Sequence, residues 1–210
     1  MTKAQPRTKI FSFFVIGIAL INAGLMGLVL IYTPIIYQEL NYVNHQRQLA
    51  QLSAQVVEKE EPIVRSFTPV NKQFSVIIPK LDVNAPVIAN VDPFDEAVYH
   101  AALKQGVAHA HNSALPNEMG TTFLFAHSTA SLLDVEQFNA IFYLLNKLQA
   151  GDKVWLVYKN DYFEYTVSQA REVMPSEIGY LNQEKEQLLL MTCSPPGTDL
   201  RRLIVFAEPS

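Results

Sequence analysis

The 210-residue chain has one cysteine, Cys193, at the end of the apolar run QLLLMT. A second run, RLIVFA, opens on Arg202, and an earlier one, TTFLFA, ends beside His127 and Ser128. Three strand-like runs therefore each bring a group that thiol chemistry uses: a nucleophile, a proton carrier and a cation able to stabilise developing negative charge. A lone cysteine forms no intramolecular disulfide, so Cys193 is either a buried inert thiol or a working one. The company of His127 and Arg202 favours the working thiol. Neighbouring strand residues face opposite sides, so only one of Arg201 and Arg202 can point at Cys193. The apolar residues Leu203, Ile204, Val205 and Phe206 leave that choice open.

Strands have to position these groups. From Gln73 onward about 140 residues remain, enough for one domain with its own core. Short β-rich runs recur there: QFSVII, APVIA, TTFLFA, KVWLVYK, YFEYTVS, QLLLMT and RLIVFA. Turn signals separate them, among them Lys159-Asn160-Asp161 between two runs that read as a hairpin. Seven or so short strands with few helices predict a mostly β domain, a closed or nearly closed barrel. Helical spacing of apolar residues predicts short capping helices over 95–103 and 138–148, the second ending at Gly151.

Residues 10–38 contain no Asp, Glu, Lys or Arg. That length exceeds the roughly 20 apolar residues needed to cross a bilayer, and predicts one transmembrane helix. A cleaved signal peptide has a shorter apolar core ending at small residues, whereas bulky residues continue here through Ile35 and Ile36. Lys3, Arg7 and Lys9 precede the span with no acid beside them, which holds the N-terminus in the cytoplasm and sends the rest outward. The expected organisation is a cytoplasmic tail over 1–9, a transmembrane helix over 10–38, an extracytoplasmic stalk over 39–70 and a catalytic domain over 71–210. Leu49, Leu52 and Val56 give the stalk helical spacing, too few positions for a coiled coil. All 20 acids and 13 of the 16 basic residues follow the span, leaving that part at −7 and arguing against a nucleic-acid partner.

The pattern around Cys193 resembles the sortases, cysteine transpeptidases that work outside the cell membrane. They carry Thr-Leu-x-Thr-Cys at a strand end, a histidine at the end of an earlier strand and an arginine opening the strand after the cysteine. Leu190, Met191, Thr192 and Cys193 fit, and Leu189 stands where the family has its first threonine. Further similarity runs, in the family's order, through VIIPKLDVNAPVI, GVAHAHNSALPNEMGTTFLFAHS, FYLLNKLQAGDKVWLV and CSPPGTDLRRLIV.

The resemblance implies an eight-stranded sortase-type barrel; no cofactor and no metal ligand set is read from the residues. It implies that Cys193 attacks a backbone carbonyl in the C-terminal sorting signal of a secreted protein, forming a thioester. An amine from a cell-wall precursor or a pilin lysine would resolve it. His127 would protonate the leaving amine and take a proton from the incoming one. Arg202, at the family's nine-residue interval from the cysteine, would stabilise the oxyanion. Thr192 and Ser128 would be supporting residues.

Other readings compete with this one. Within the fold these are a pilin-polymerising sortase and a simple cysteine peptidase; outside it stands a non-catalytic, membrane-tethered β-barrel binding module. His109 and His111, with His100 nearby, resemble the start of a metal site, but no acid or cysteine completes the set. Asp92-Pro93-Phe94 resembles the lid tripeptide of pilin-building sortases, yet it follows the first strand runs instead of preceding them. It reads as a loop entering a helix, capped by Asp92 or Asp95.

Overall fold

A computed structural model describes residues 7–55, 68–128, 141–177 and 184–210. The chain forms two compact units, Met1–Leu49 and Ala50–Ser210. Helix α1 (Arg7–Gln55) dominates the first and runs unbroken through the boundary expected at residue 38. Counted over the described residues, no helix is long and apolar enough to cross a membrane.

The second unit is a closed barrel of eight strands: β1 (Phe74–Ile78), β2 (Val83–Val91), β3 (Val107–Ala110), β4 (Thr121–Phe125), β5 (Lys153–Tyr158), β6 (Asp161–Val173), β7 (Gln187–Ser194) and β8 (Arg201–Pro209). Their order around the wall is β1-β2-β3-β4-β7-β8-β6-β5, and β5 pairs back onto β1. The mostly β, closed-barrel architecture expected from the sequence is therefore the one observed. The β2–β3 and β4–β7 pairs are parallel and the others antiparallel.

Each of the seven strand-like runs lies within a strand or overruns it by one residue at one end. β1 and β4 are buried on both faces, which explains runs dense in apolar residues in place of an apolar–polar alternation. The eighth strand, β3, has the sequence VAHA, whose two alanines and a histidine give no β signal. The β5–β6 hairpin turns at Lys159 and Asn160, both left-handed at φ 51° and 74°, as a two-residue hairpin demands.

Two helices were expected to cap the barrel. The first is α2 (Glu96–Leu103), whose N-cap is Asp95, accepting a bond from the Val98 N–H at 3.1 Å. Asp92 instead closes its own turn by accepting from the Phe94 N–H. Gly106 then lets the chain pass close to β2, because a Cβ there would run into the Pro86 carbonyl. The second expected helix needs correction. Residues 138–140 lie outside the described residues, and beyond them the chain forms turns and a 3-10 segment, Leu145–Lys147. Buried Phe142, Leu145 and Leu148 recur every three residues, the period of a 3-10 turn, and their N–H groups bond back over three residues at Leu145 and Leu148.

His109 on β3 is a core residue. Its Nδ1 accepts from the Asn90 N–H at 3.3 Å, and its Nε2 lies 3.1 Å from the Ala114 carbonyl and 2.9 Å from the Ser113 hydroxyl. His111 instead pairs through Nδ1 with the Asn90 side chain at 2.7 Å. With both His109 nitrogens engaged, the two histidines have no common ligand position, and no group of three or more potential metal ligands occurs among the described residues.

Burial pushes the His109 pKa down from its ordinary value of 6.5, against the opposing effects of its bond to Ala114 and the charge of Glu118. Below pH 6.5 the unfolded chain therefore takes up a proton that the folded one refuses, and stability falls as pH falls. The urea midpoint of the barrel unit should drop between pH 7.5 and 5.5. His109→Gln should be less stable at pH 7.5 but show a flatter dependence; an unchanged slope would remove His109 from the acid transition.

Candidate active site

Cys193 lies on β7, Arg202 on the adjacent β8, and His127 two residues beyond the end of β4, which adjoins β7 on its other side. In the parallel β4–β7 pair, Thr121 faces Gln187 and the register holds through Phe125 and Met191, a constant offset of 66 residues. Beyond the last paired residues the Ala126 N–H donates to the Met191 carbonyl at 3.1 Å, and the Thr192 hydroxyl donates to the Ala126 carbonyl at 2.9 Å. The same offset, extrapolated one position further, aligns His127 with Cys193 in sequence register. On the other side of β7, Cys193 is the direct antiparallel partner of Arg202. Directly opposed residues project to the same face, so the six-residue loop over 195–200 returns the chain with thiol and guanidinium on one side of the sheet.

Arg201 is paired instead with Ser194 and projects to the opposite face. Glu172 on β6 receives both of these residues: the Ser194 hydroxyl donates to it at 2.6 Å, and the Arg201 guanidinium lies 3.7 Å away. Arg202 Nη1 donates to the carbonyls of Asp199 and Arg201 at 2.9 and 3.0 Å, which ties the guanidinium to its own turn. Ser128 is buried and accepts a long bond, 3.4 Å, from the Gly197 N–H, linking the segment after His127 to the turn after Cys193. Cys193 is a free thiol and is half-buried, and the side chains of His127 and Arg202 are half-buried too. Leu189, at the family's threonine position, is fully buried between Phe123 and Phe206 on the neighbouring strands.

Helix α2 also contributes side chains here, which the sequence does not reveal. The His100 ring stacks on His127 with centroids 5.7 Å apart and planes inclined at 26°. Tyr99 lies 4.6 Å from His100, centroid to centroid. Burial foremost, then the charges of Glu96 and Cys193, push the Tyr99 phenol up from its ordinary value, while Arg202 pulls it down. Tyr99 is thus within electrostatic reach of both Cys193 and Arg202.

A cleft of about 220 Å³ adjoins Arg202. Its walls are mainly apolar, from Pro93 and Phe94 before α2, Phe123 on β4, Met191 on β7, Ile204 on β8, and Val173, Met174 and Pro175 at the end of β6; Glu177 is its other charged residue. The tripeptide read from sequence as only a loop therefore also supplies two of its residues to this wall.

A sequence model of the sortase domain matches residues 76–210. The chain belongs to the sortase family. Sortase D of Bacillus subtilis (strain 168) is 28% identical to this sortase over 150 residues, covering 68% of this chain and 67% of that one. Among solved structures, sortase C1 from Streptococcus suis is similar at 25% identity and a TM-score of 0.54, over 66% of this chain and 74% of that one. Sortase A from Corynebacterium diphtheriae has the same fold at 22% identity and a TM-score of 0.55; the match covers 67% of this chain and 61% of that protein. Sortases are cysteine transpeptidases, and the recognition from sequence holds at the level of family and fold.

The buried bond from Thr192 to Ala126 generates a test of what joins the two strands. Thr192→Val keeps the shape but leaves the Ala126 carbonyl without that donor, which should lower stability by about 1–3 kcal/mol. Ser128→Ala, removing a longer bond, should cost less. Urea unfolding of both variants measures the difference, and the reverse order would mean that Ser128 is the stronger tie.

Proposed function

We propose that this sortase uses Cys193 to cut a backbone peptide bond in the sorting signal of secreted proteins, and joins the new C-terminus to an amine of the cell wall. The observation that supports the proposal is the direct pairing of Cys193 with Arg202, together with a β4–β7 register whose 66-residue offset, extended past Phe125 and Met191, aligns His127 with Cys193. The Cys193 thiolate attacks the scissile carbonyl carbon, and a C–S bond forms as the carbonyl becomes an oxyanion. Arg202 donates hydrogen bonds to that oxygen. Collapse breaks the C–N bond, with His127 giving its proton to the leaving amine, so that a thioester remains. An acceptor amine then attacks the thioester, His127 takes its proton, and Cys193 leaves as the thiolate. Water in the acceptor's place gives hydrolysis.

The apolar cleft beside Arg202 suits an extended peptide with apolar side chains ahead of the scissile bond. An acceptor from a cell-wall precursor and one from a pilin lysine use the same amine chemistry, and the acceptor assay below distinguishes them.

The same reading makes α1 a single-pass anchor with its N-terminus in the cytoplasm and the barrel outside. Its support is the uncharged sequence of 10–38, about 43 Å of helix at about 1.5 Å per residue. Ile16, Leu20, Ile21, Leu25, Met26 and Val29 are all exposed along it. Two polar side chains in that stretch satisfy themselves on the helix: Asn22 donates to the Ile18 carbonyl at 2.8 Å and Thr33 to Val29 at 2.6 Å. Such internal satisfaction is what hydrocarbon surroundings require.

Incubation with a library of sorting-signal peptides and a panel of amines, read by mass spectrometry, should give joined products whose yield depends on the amine. Cys193→Ala should abolish cleavage and joining. His127→Ala should slow turnover by at least about 100-fold, and Arg202→Ala by about 100- to 1000-fold. Arg201→Ala should stay within a few-fold, since its link to Glu172 is long and exposed. Turnover that survives Cys193→Ala would sink the mechanism, and a folded parent that binds peptides without cutting them would make the barrel a binding module.

Protease added to intact cells should digest the barrel while an antibody epitope at the N-terminus stays protected until the cells are opened. Protection of the barrel, with an accessible control protein degraded, would reverse the topology.

A further inference from the structure

His100 has no part in the chemistry above, yet its ring is the aromatic surface that lies against His127 among the described side chains. Three groups lie against that ring. Glu96, one helical turn earlier on α2, has Oε1 3.4 Å from His100 Nε2. The Tyr99 ring lies against it at 4.6 Å, and the His127 ring stacks on it at 5.7 Å. The separations fall within the range of attractive ring pairs, and the 26° inclination makes the contact with His127 an offset stack and not an edge-on one. A stack of this kind transfers no proton. It restrains tilt and sliding of the His127 ring, whose nitrogens have to reach the sulfur of Cys193 and the departing or arriving amine.

We propose that His100 is a positioning residue: its imidazole, fixed on α2 by Glu96 and Tyr99, is the plate against which the His127 ring is held while it moves protons beside Cys193. The inference rests on the proposed Cys193–His127 chemistry and adds to it that flatness, and not acid–base capacity, is what position 100 contributes. The residue joins the β2–β3 crossover to the β4–β7 site, since α2 is held to the barrel by buried Ala102 and Leu103. The charged and titratable groups that meet this array are Glu96 and Tyr99 on α2, Cys193 on β7 and Arg202 on β8.

The test uses the full chain in detergent micelles, where Cys193 is the only thiol. Two readouts are taken at pH 7: the rate of Cys193 alkylation by iodoacetamide, and kcat and KM for a peptide that the parent cleaves. His100→Phe keeps a flat ring and loses the imidazole nitrogens; His100→Gln keeps hydrogen-bonding atoms and loses the ring. His100→Gln should lower alkylation rate and kcat by about 2- to 10-fold with KM unchanged, the scale of one aromatic pair. His100→Phe should restore both to within about 2-fold of the parent by the same measure. Glu96→Gln, which loosens the plate without removing it, should fall between them.

The side chain of His100 is 46% exposed, so neither replacement disturbs the core. Equal behaviour of His100→Phe and His100→Gln, or a loss confined to KM, overturns the proposal. If alkylation of the parent is no faster than that of His127→Ala, the Cys193–His127 reading itself fails and this inference falls with it. A His127-dependent parent whose two position-100 variants agree overturns the inference alone.

Discussion

The structure depends most on one register, that of β4 against β7. Side chains alternate along a strand, so a slip of one residue would turn Cys193 away from His127 and break the match with Arg202. β7 is prone to such a slip, because Leu188, Leu189 and Leu190 are all fully buried and bury equally well on either face. Polar bonds at the two ends of the apolar run remove the ambiguity. At one end the Gln187 side chain donates to the Thr121 hydroxyl at 3.1 Å, and at the other Thr192 donates to the Ala126 carbonyl. A slipped strand would orphan both sets of buried groups at once, each a loss of about 1–3 kcal/mol.

The other flank of the site is settled by a division of labour between two adjacent cations. β8 opens with Arg201 and Arg202, which project oppositely. Glu172 and Ser194 occupy the face toward Arg201, while the turn carbonyls of Asp199 and Arg201 receive Arg202. The guanidinium on the cysteine's side is thereby braced by backbone dipoles and has no carboxylate bound to it in the described contacts. A carboxylate there would neutralise the cation and compete with any developing oxyanion.

Much of this was legible in the sequence, for definable reasons. Runs such as QLLLMT and RLIVFA announce strands because burial on both faces demands consecutive apolar residues, and a lone cysteine between them draws attention by its chemistry. β3 was hidden because alanine and a buried histidine fit a strand wall without advertising it. The stretch before Gly151 carries an apolar pattern that suits a helix, but its buried residues lie three apart and wind more tightly. His100 and the wall residues Pro93 and Phe94 were beyond reach for a different reason. Their relation to Cys193 is made by the β2–β3 crossover folding over strands about a hundred positions away, and no local spacing encodes it. The span expected over 10–38 is a property of composition, and remains a reading of the sequence.

The parallel pairing has a consequence for how the chain reaches its native state. β7 can zip onto β8 locally, but its second edge must wait for β4, whose residues stand 66 positions earlier. Until then a leucine-rich ribbon presents an open, sticky border, the kind of segment that seeds aggregation. Immediately ahead of it the chain carries Glu184, Lys185 and Glu186. Charges flanking an apolar strand are the kind of sequence feature that opposes edge-to-edge association with a second copy.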